Sequence, residues 1–385
     1  MDVLYLDNNA TTKVAPEALA AMMPYLSELY GNPSSVHRFG QRARHAIDNA
    51  RSQIAALVGC SDSELLFTGG GTESINTAVR GILAARAPLK KIVTSTVEHS
   101  ATRELCHQLA KEGTEVVEIP VDSQGSLDLG QLRAAVDEQT ALVTMMWANN
   151  ETGVLFDVPE IAAVCRTHRI PFHCDATQAV GKTPVNLSEI GCDAGSFSAH
   201  KFHGPKGVGS LYLRRGTRMR PLLIGGPQER GRRGGTENLA GIVGMGAAAE
   251  LAARPLAQMH RVAATRDRFE QRVVATIPDA HILAARAPRV PNTTNIGFAR
   301  LEAEAILLLL SEQGICASAG AACSSGSLEP SHVLRAMQID QTIAHGAIRF
   351  SLSRYTTESE IDRVLEVLPG VIERLRTVLP VARAG

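Results

Sequence analysis

From about residue 40 to residue 255 short apolar runs alternate with stretches of helical periodicity. The runs are Leu65–Phe67, Lys91–Thr94, Val116–Ile119, Ala141–Trp147, Pro171–Cys174, Ala194–Phe197 and Ser210–Leu213. Strand-length runs separated by helices are the pattern of a mostly parallel sheet covered on both faces, and these predict seven strands. Between them Ala43, Ala46, Ile47, Ala50, Ile54, Leu57 and Val58 recur at helical spacing, with Gly59 as a stop.

Beyond Pro255 the pattern changes. A long amphipathic helix comes first, then a strand at Thr293–Phe298, a helix at Glu302–Gln313, a strand at Ala347–Leu352 and a closing helix. Thr357 and Glu360 stand three apart at the start of that helix, a capping-box spacing. The expected class is α/β, with a large domain over 15–255. A smaller α+β domain would be formed by 1–14 and 256–385.

Composition narrows the function. The chain has 385 residues, enough for two cores, and Lys plus Arg equals Asp plus Glu at 39 each. No net field or basic block points to nucleic acid or a membrane surface, and aromatics are only 4%. The start, Met1 to Asp7, lacks a basic region followed by an apolar stretch, so a cytoplasmic protein is expected. Seven cysteines without paired CxxC spacing predict reduced thiols, most of them small core residues.

The chemistry concentrates at strand exits. Ser196 to Gly207 follows an apolar run and carries Ser198, His200, Lys201 and His203. Ligands of α/β sheets bind at such exits, and a lysine beside hydroxyl and imidazole donors suits a Schiff base to pyridoxal 5'-phosphate. A second exit, Pro171 to Gln178, carries the single carboxylate Asp175, suited to pairing with a pyridine nitrogen. Thr68-Gly69-Gly70-Gly71-Thr72-Glu73-Ser74 joins a strand to a helix and reads as a phosphate cup built on helix N-terminal amides. His173, Cys174, His200 and His203 offer a zinc alternative, but their spacing matches no closed site and would leave Lys201 without a purpose.

Together these segments resemble fold-type I pyridoxal phosphate enzymes of the class V aminotransferase family. Tyr5 to Thr12, Gly31-Asn32-Pro33-Ser34-Ser35, Val97-Glu98-His99, Asn149 to Gly153 and Arg232 to Asn238 narrow the resemblance to the cysteine desulfurases of the nitrogen-fixation and iron-sulfur-cluster type. The resemblance implies a seven-stranded large domain, pyridoxal phosphate as cofactor and His99 stacked on its ring. His99 then counts among the catalytic residues with Lys201 and Cys323. It implies that Asn150 and Gln178 address the ring oxygen, and that Gly71, Thr72, Ser198 and His200 hold the phosphate. Thr236 would come from the neighbouring subunit of a homodimer.

Ile315 to Ser327 is almost all small residues, which predicts a mobile loop able to carry a thiol to a cofactor and away again. Cys323 on it matches the family's sulfur acceptor, whereas Cys316, just beyond an apolar helix, reads as core. Arg349 matches the arginine that holds the substrate carboxylate, with Arg354 as the nearby alternative. The implied reaction converts L-cysteine to L-alanine and leaves a persulfide on Cys323 for an iron-sulfur scaffold or a tRNA-thiolation protein. No metal is required, and Cys323 is a candidate transient iron-sulfur ligand. A selenocysteine lyase, or another pyridoxal phosphate lyase or aminotransferase, would share most of these residues, and an assembly subunit that only docks partners is the non-enzymatic alternative.

Overall fold

A computed structural model describes residues 3–253, 257–319 and 329–378. Strands β1 (Leu4–Tyr5), β2 (Leu65–Thr68), β3 (Lys91–Ser95), β4 (Glu115–Ile119), β5 (Thr140–Met146), β6 (Phe172–Asp175), β7 (Ala194–Ser198) and β8 (Gly209–Leu213) occupy the first part of the chain. They are followed by β9 (Ala280–Leu283), β10 (Thr293–Phe298), β11 (Ile315–Cys316) and β12 (Ala347–Ser351). Each apolar run of the first 255 residues is one strand of a single seven-stranded sheet of order β2-β8-β7-β6-β5-β3-β4. The sheet is parallel except at β8, which runs antiparallel to both β2 and β7.

Successive strand residues point to opposite faces, and the core divides accordingly. Leu65, Phe67, Val143 and Tyr212 pack on one face with Ala43, Ile47, Ile54 and Ile161. Leu66, Leu142 and Leu211 pack on the other with Ile75, Ile82 and Leu105. The helix carrying the predicted alanine-rich face runs Arg38–Val58, and Gly59 ends it with φ 64°, a left-handed conformation that costs glycine little.

The remainder forms a three-stranded antiparallel sheet of order β12-β10-β9 under the helices Ala257–Thr276, Ala303–Glu312 and Glu358–Val378. Leu4 and Leu6 join this second core beside Phe269, Ile296 and Phe350. β1 pairs with β11 in parallel, so the chain's start is stitched to the far end of the sequence. The amide of Thr357 donates to Glu360 Oε2 at 2.7 Å, and the Glu360 amide donates to Thr357 Oγ1 at 3.2 Å, completing the expected capping box. Among the described residues Cys106, Cys165, Cys174 and Cys192 are buried; Cys60 is half-buried, and so is Cys316, which ends β11 rather than lying in the core.

Two buried carboxylates anchor loops that lead to the sheet's upper edge. Glu229 accepts two hydrogen bonds from Arg51, at 2.8 and 2.7 Å, and a third from the Phe67 amide at 3.1 Å. Arg51 also lies over the Phe67 ring, 4.6 Å from its centroid. This pair fixes the turn Gln228–Gly231, where Glu229 and Arg230 both adopt positive φ, and so the approach to the Arg232–Asn238 motif. Glu98, after β3, accepts from Ser95 Oγ at 2.6 Å and from the Met146 amide at 3.0 Å, while its other oxygen is buried without a partner. Burial pushes its carboxyl up to about 8.

Glu229→Ala strands a buried guanidinium and is expected to lower unfolding free energy by about 3–5 kcal/mol in urea denaturation. A loss below about 1 kcal/mol would contradict the anchoring role assigned to the pair. Folded Glu98 keeps its proton to about pH 8, whereas an unfolded glutamate loses it near 4.5. The folded state therefore holds the extra proton across this window, and stability falls as pH rises through it. The melting temperature of the wild type should decline from pH 5 to pH 8 relative to Glu98→Gln; parallel curves for the two proteins would refute the assignment.

Candidate active site

The carboxyl ends of β5, β6 and β7 open into a cavity of about 510 Å³. Gly71, Thr72, His99, Asn150, Asp175, Gln178, Ser198, His200, Lys201 and Arg349 all line it. Residues from Asn9, near the chain's start, to Arg349 thus share one space. Thr236 is exposed and does not line this cavity of its own chain. Cys323 lies outside the described residues.

At one end the cavity is built for an anion. The helix Gly71–Ala85 starts there, and the amides of a first helical turn have no acceptor within the helix. A Cβ on Gly209 of β8 would meet the Gly70 backbone at 2.7 Å, so glycine at 209 lets the cup settle against the sheet. Thr177 Oγ1 is buried without a hydrogen-bond partner and would stand 3.3 Å from a Cβ on Gly71. His200 hydrogen-bonds Thr11 Oγ1 through Nδ1 at 3.1 Å. Burial, with the charges of Lys201, Lys206 and Lys182, pushes its pKa down to about 4, so the ring is neutral at pH 7.

The middle of the cavity holds the lysine and the carboxylate. Lys201 ends the single turn Ala199–Lys201 that follows β7, and its Nζ donates to the carbonyls of Asn9 and Ala10 at 2.7 and 2.8 Å. Asp175 is the last residue of β6; it is buried, and its Oδ1 accepts from the Thr177 amide at 3.0 Å. His99 caps the helix Ser100–Lys111, Nδ1 accepting from the Ala101 amide at 3.1 Å. A neutral His99 therefore carries its proton on Nε2, and burial lowers its pKa against the pull of Asp175.

At the other end stands Arg349 of β12, only 2% exposed. Its guanidinium donates to the Asp7 carboxylate at 2.6 Å and to the Asn150 carbonyl at 3.0 Å, which fixes the plane of the fork. Arg354 does not line the cavity and donates instead to the Leu251 carbonyl at 2.7 Å. His173 commits both ring nitrogens, to Thr144 and Ser196, each at 2.8 Å.

The site contains residues that strand-exit patterns do not reveal. Asn9 lines the cavity, and the buried Lys182 stands behind it: Lys182 Nζ donates to Asn9 Oδ1 at 2.8 Å and, in a closer contact, to Gln178 Oε1. Gln178 must then turn its NH₂ toward the Asn9 carbonyl, 3.0 Å away. Burial, then Lys201 and Arg349, holds the Lys182 amine well below the ordinary lysine range. Thr177 could have been noticed beside Asp175, but a hydroxyl in a polar turn carries no signal of its own.

These residues fit pyridoxal phosphate. Helix amides and the unpartnered Thr177 hydroxyl suit its phosphate, Lys201 its carbonyl carbon, Asp175 its ring nitrogen and His99 its ring face.

The chain is similar along nearly its whole length to known proteins. The family profile Aminotransferase class-V matches residues 4–364. Cysteine desulfurase 2 of Trichormus variabilis is 54% identical over 380 residues, covering 99% of this chain and 96% of its own. A solved NifS-like protein superposes with a TM-score of 0.90 at 38% identity, covering 97% of this chain and 100% of that one. SspA in complex with cysteine does so at 0.82 and 32%, covering 92% and 99%. With a family profile spanning nearly the whole chain and the cofactor-shaped cavity inside that span, this protein belongs to the class V aminotransferase family.

Proposed function

We propose that this chain is a cysteine desulfurase: it binds L-cysteine in the cavity, releases L-alanine and leaves the sulfur on its own Cys323 as a persulfide. The observation that carries this reading is how the chain on either side of 320–328 is tied down. Before it, Ser318 and Arg349 exchange backbone hydrogen bonds at 3.2 and 2.7 Å. After it, Ser331 Oγ donates to Glu151 at 2.5 Å, and His332 Nε2 bonds the Glu98 carbonyl at 3.0 Å. Arg349, Glu151 and His332 all line the cavity. Cys323 is four residues from Ala319, a span of at most about 14 Å of extended chain. The likeness to cysteine desulfurase 2, and to a protein solved with cysteine, supports the same substrate.

When bound, pyridoxal phosphate supplies an electron sink for the substrate α-carbon. The chain's own residues do the rest. Arg349 receives the substrate carboxylate in a planar, two-pronged grip, already oriented by Asp7 and the Asn150 carbonyl. Lys201 Nζ, once displaced from the cofactor, takes the α-proton. His99, neutral and with its proton on Nε2, lines the cavity and can hydrogen-bond within it, and its ring would stack on the cofactor. The Cys323 thiolate attacks the substrate sulfur: the S–S bond forms, the Cβ–S pair stays with carbon, and a proton completes alanine. Sulfur then passes to a thiol of an acceptor such as an iron-sulfur scaffold, with Cys323 as a candidate transient cluster ligand.

The same reading includes a homodimer in which Thr236 completes the partner's phosphate site. Its exposure supports this, as do the apolar side chains of Leu19, Met23, Leu26, Tyr30, Val36 and Ile224 exposed on the isolated chain.

With L-cysteine as substrate, Lys201→Ala should lose the covalent cofactor and cut alanine formation by about 10²–10⁴-fold or more. Cys323→Ala should keep the cofactor's absorbance and lose alanine formation. Unchanged alanine production by Cys323→Ala would sink the proposed sulfur transfer while leaving the cofactor assignment intact.

A further inference from the structure

The turn after β6, residues 176–183, carries Gln178 and Lys182 four positions apart. It bends like a helix, with the amides of Val180 and Thr183 donating to the carbonyls of Ala176 and Ala179, so the two side chains share a face. Gly181 has φ 77°, and a Cβ there would meet Phe202 Cβ at 2.6 Å; glycine lets this turn close onto the residue that follows Lys201. Lys182 is buried, yet among the described residues no carboxylate pairs with its amine. The titratable groups whose fields meet its own are Lys201, Arg349, His200 and His203, none of them an anion. The void it shares with Lys201 is about 20 Å³, room for a water and nothing larger. A buried amine in such company is costly, and no ligand space or counter-charge accounts for it.

What the amine touches is a pair of amide oxygens, Asn9 Oδ1 at 2.8 Å and Gln178 Oε1. Two N–H groups satisfy both, so it makes these bonds in its neutral form as well. Gln178 reaches the cavity, where a side-chain amide can present either its oxygen or its NH₂. Here both ends are assigned: Lys182 donates to Oε1, and the Asn9 carbonyl, which can only accept, takes Nε2 at 3.0 Å. Nε2 has two hydrogens; Asn9 uses one, and the second is left for the cavity. Without the amine, Gln178 Oε1 loses its donor in a buried place, which favours turning or withdrawing the amide. Asn9 Oδ1 would still keep Asn292 at 3.1 Å, and the bonds from Lys201 to the Asn9 and Ala10 carbonyls do not pass through Lys182. The loss therefore falls on Gln178.

We propose that Lys182 is a positioning residue for the cofactor: by holding the Gln178 oxygen it keeps a Gln178 N–H aimed at the ring oxygen of pyridoxal phosphate. The inference rests on the reading of Gln178 as a partner of that oxygen. A donor at the ring oxygen withdraws charge from the conjugated system that also contains the Schiff-base nitrogen, and so weakens that nitrogen's hold on its proton. Losing the donor raises the pKa of the nitrogen. A positive charge on Lys182 would act in the same direction through space, so the two routes must be separated by whether the effect needs Gln178.

Full-length protein carrying its cofactor is titrated with pH in four forms, wild type, K182M, Q178M and the double variant, following the absorbance of the cofactor bound to Lys201. Methionine fills nearly the volume of either side chain without supplying a donor, and K182L takes the place of K182M if that variant does not fold. Each single variant should raise the pKa of the Schiff base by about one unit, roughly a tenfold change in the proton equilibrium, and the double variant should rise no further. A purely structural role would lower the melting temperature of K182M and leave the titration unmoved. K182M titrating as wild type while Q178M shifts would overturn the role given to Lys182 and leave that of Gln178 standing. No shift in either single variant would remove the Gln178 reading, and this inference with it. Shifts that add in full in the double variant would make Lys182 a charge acting through space, which also overturns the proposal.

Discussion

One asparagine holds the site together. The backbone amide of Asn9 donates to Ser351 Oγ at 2.9 Å, and its side-chain Nδ2 donates to the Asn150 carbonyl and Thr293 Oγ1, at 3.0 and 2.9 Å. Its Oδ1 accepts from Lys182 and Asn292, at 2.8 and 3.1 Å, and its carbonyl accepts from Gln178 and Lys201, at 3.0 and 2.7 Å. Lys201, Gln178, Asn150 and Lys182 belong to the seven-stranded part of the chain, whereas Asn292, Thr293 and Ser351 belong to the second core's sheet and its approach. The residue is 1% exposed, so any of these groups left unpaired would be costly. The geometry of the lysine, of Gln178 and of the arginine end of the cavity therefore rests on a single residue near the chain's start.

That junction explains why buried charge is tolerated nearby. Lys182 and Arg349 are 6% and 2% exposed, in a region where desolvation of an ion is expensive. Arg349 meets the Asp7 carboxylate, and Lys182 meets amide oxygens while burial favours its neutral form. The arginine end of the cavity and the lysine at its middle are thus set by the N-terminal strap, residues 7 to 10, laid between the two cores. An open site that must recognise a small amino acid gains from such rigidity, because its donors need no rearrangement when the substrate arrives.

The sequence carried different parts of this with different clarity. The inner strands of the main sheet were legible because strands buried on both faces read as unbroken apolar runs, the edge strand β4 showed through Val116, Val117 and Ile119, and Lys201 and Asp175 were legible because each is a lone charge at or just past the end of such a run. β9 went unread, since only Leu283 of its four residues is buried, and the two-residue strands β1 and β11 exist only through their pairing with each other. Lys182 follows a turn and reads as a solvated residue; only the fold puts Asn9 and Gln178 around its amine. Cys323, the residue on which the proposed sulfur transfer turns, is read from its sequence neighbours, and the positions flanking its segment are anchored at the cavity.

The most direct measurement is the sulfur itself. Purified protein is mixed with L-cysteine, quenched with a thiol-blocking reagent, digested and examined by peptide mass spectrometry. The account predicts one extra sulfur atom on the peptide containing Cys323, approaching one per chain and matched by alanine released in the first turnover. Alanine formed without that adduct, or an adduct on Cys316 in place of Cys323, would contradict it.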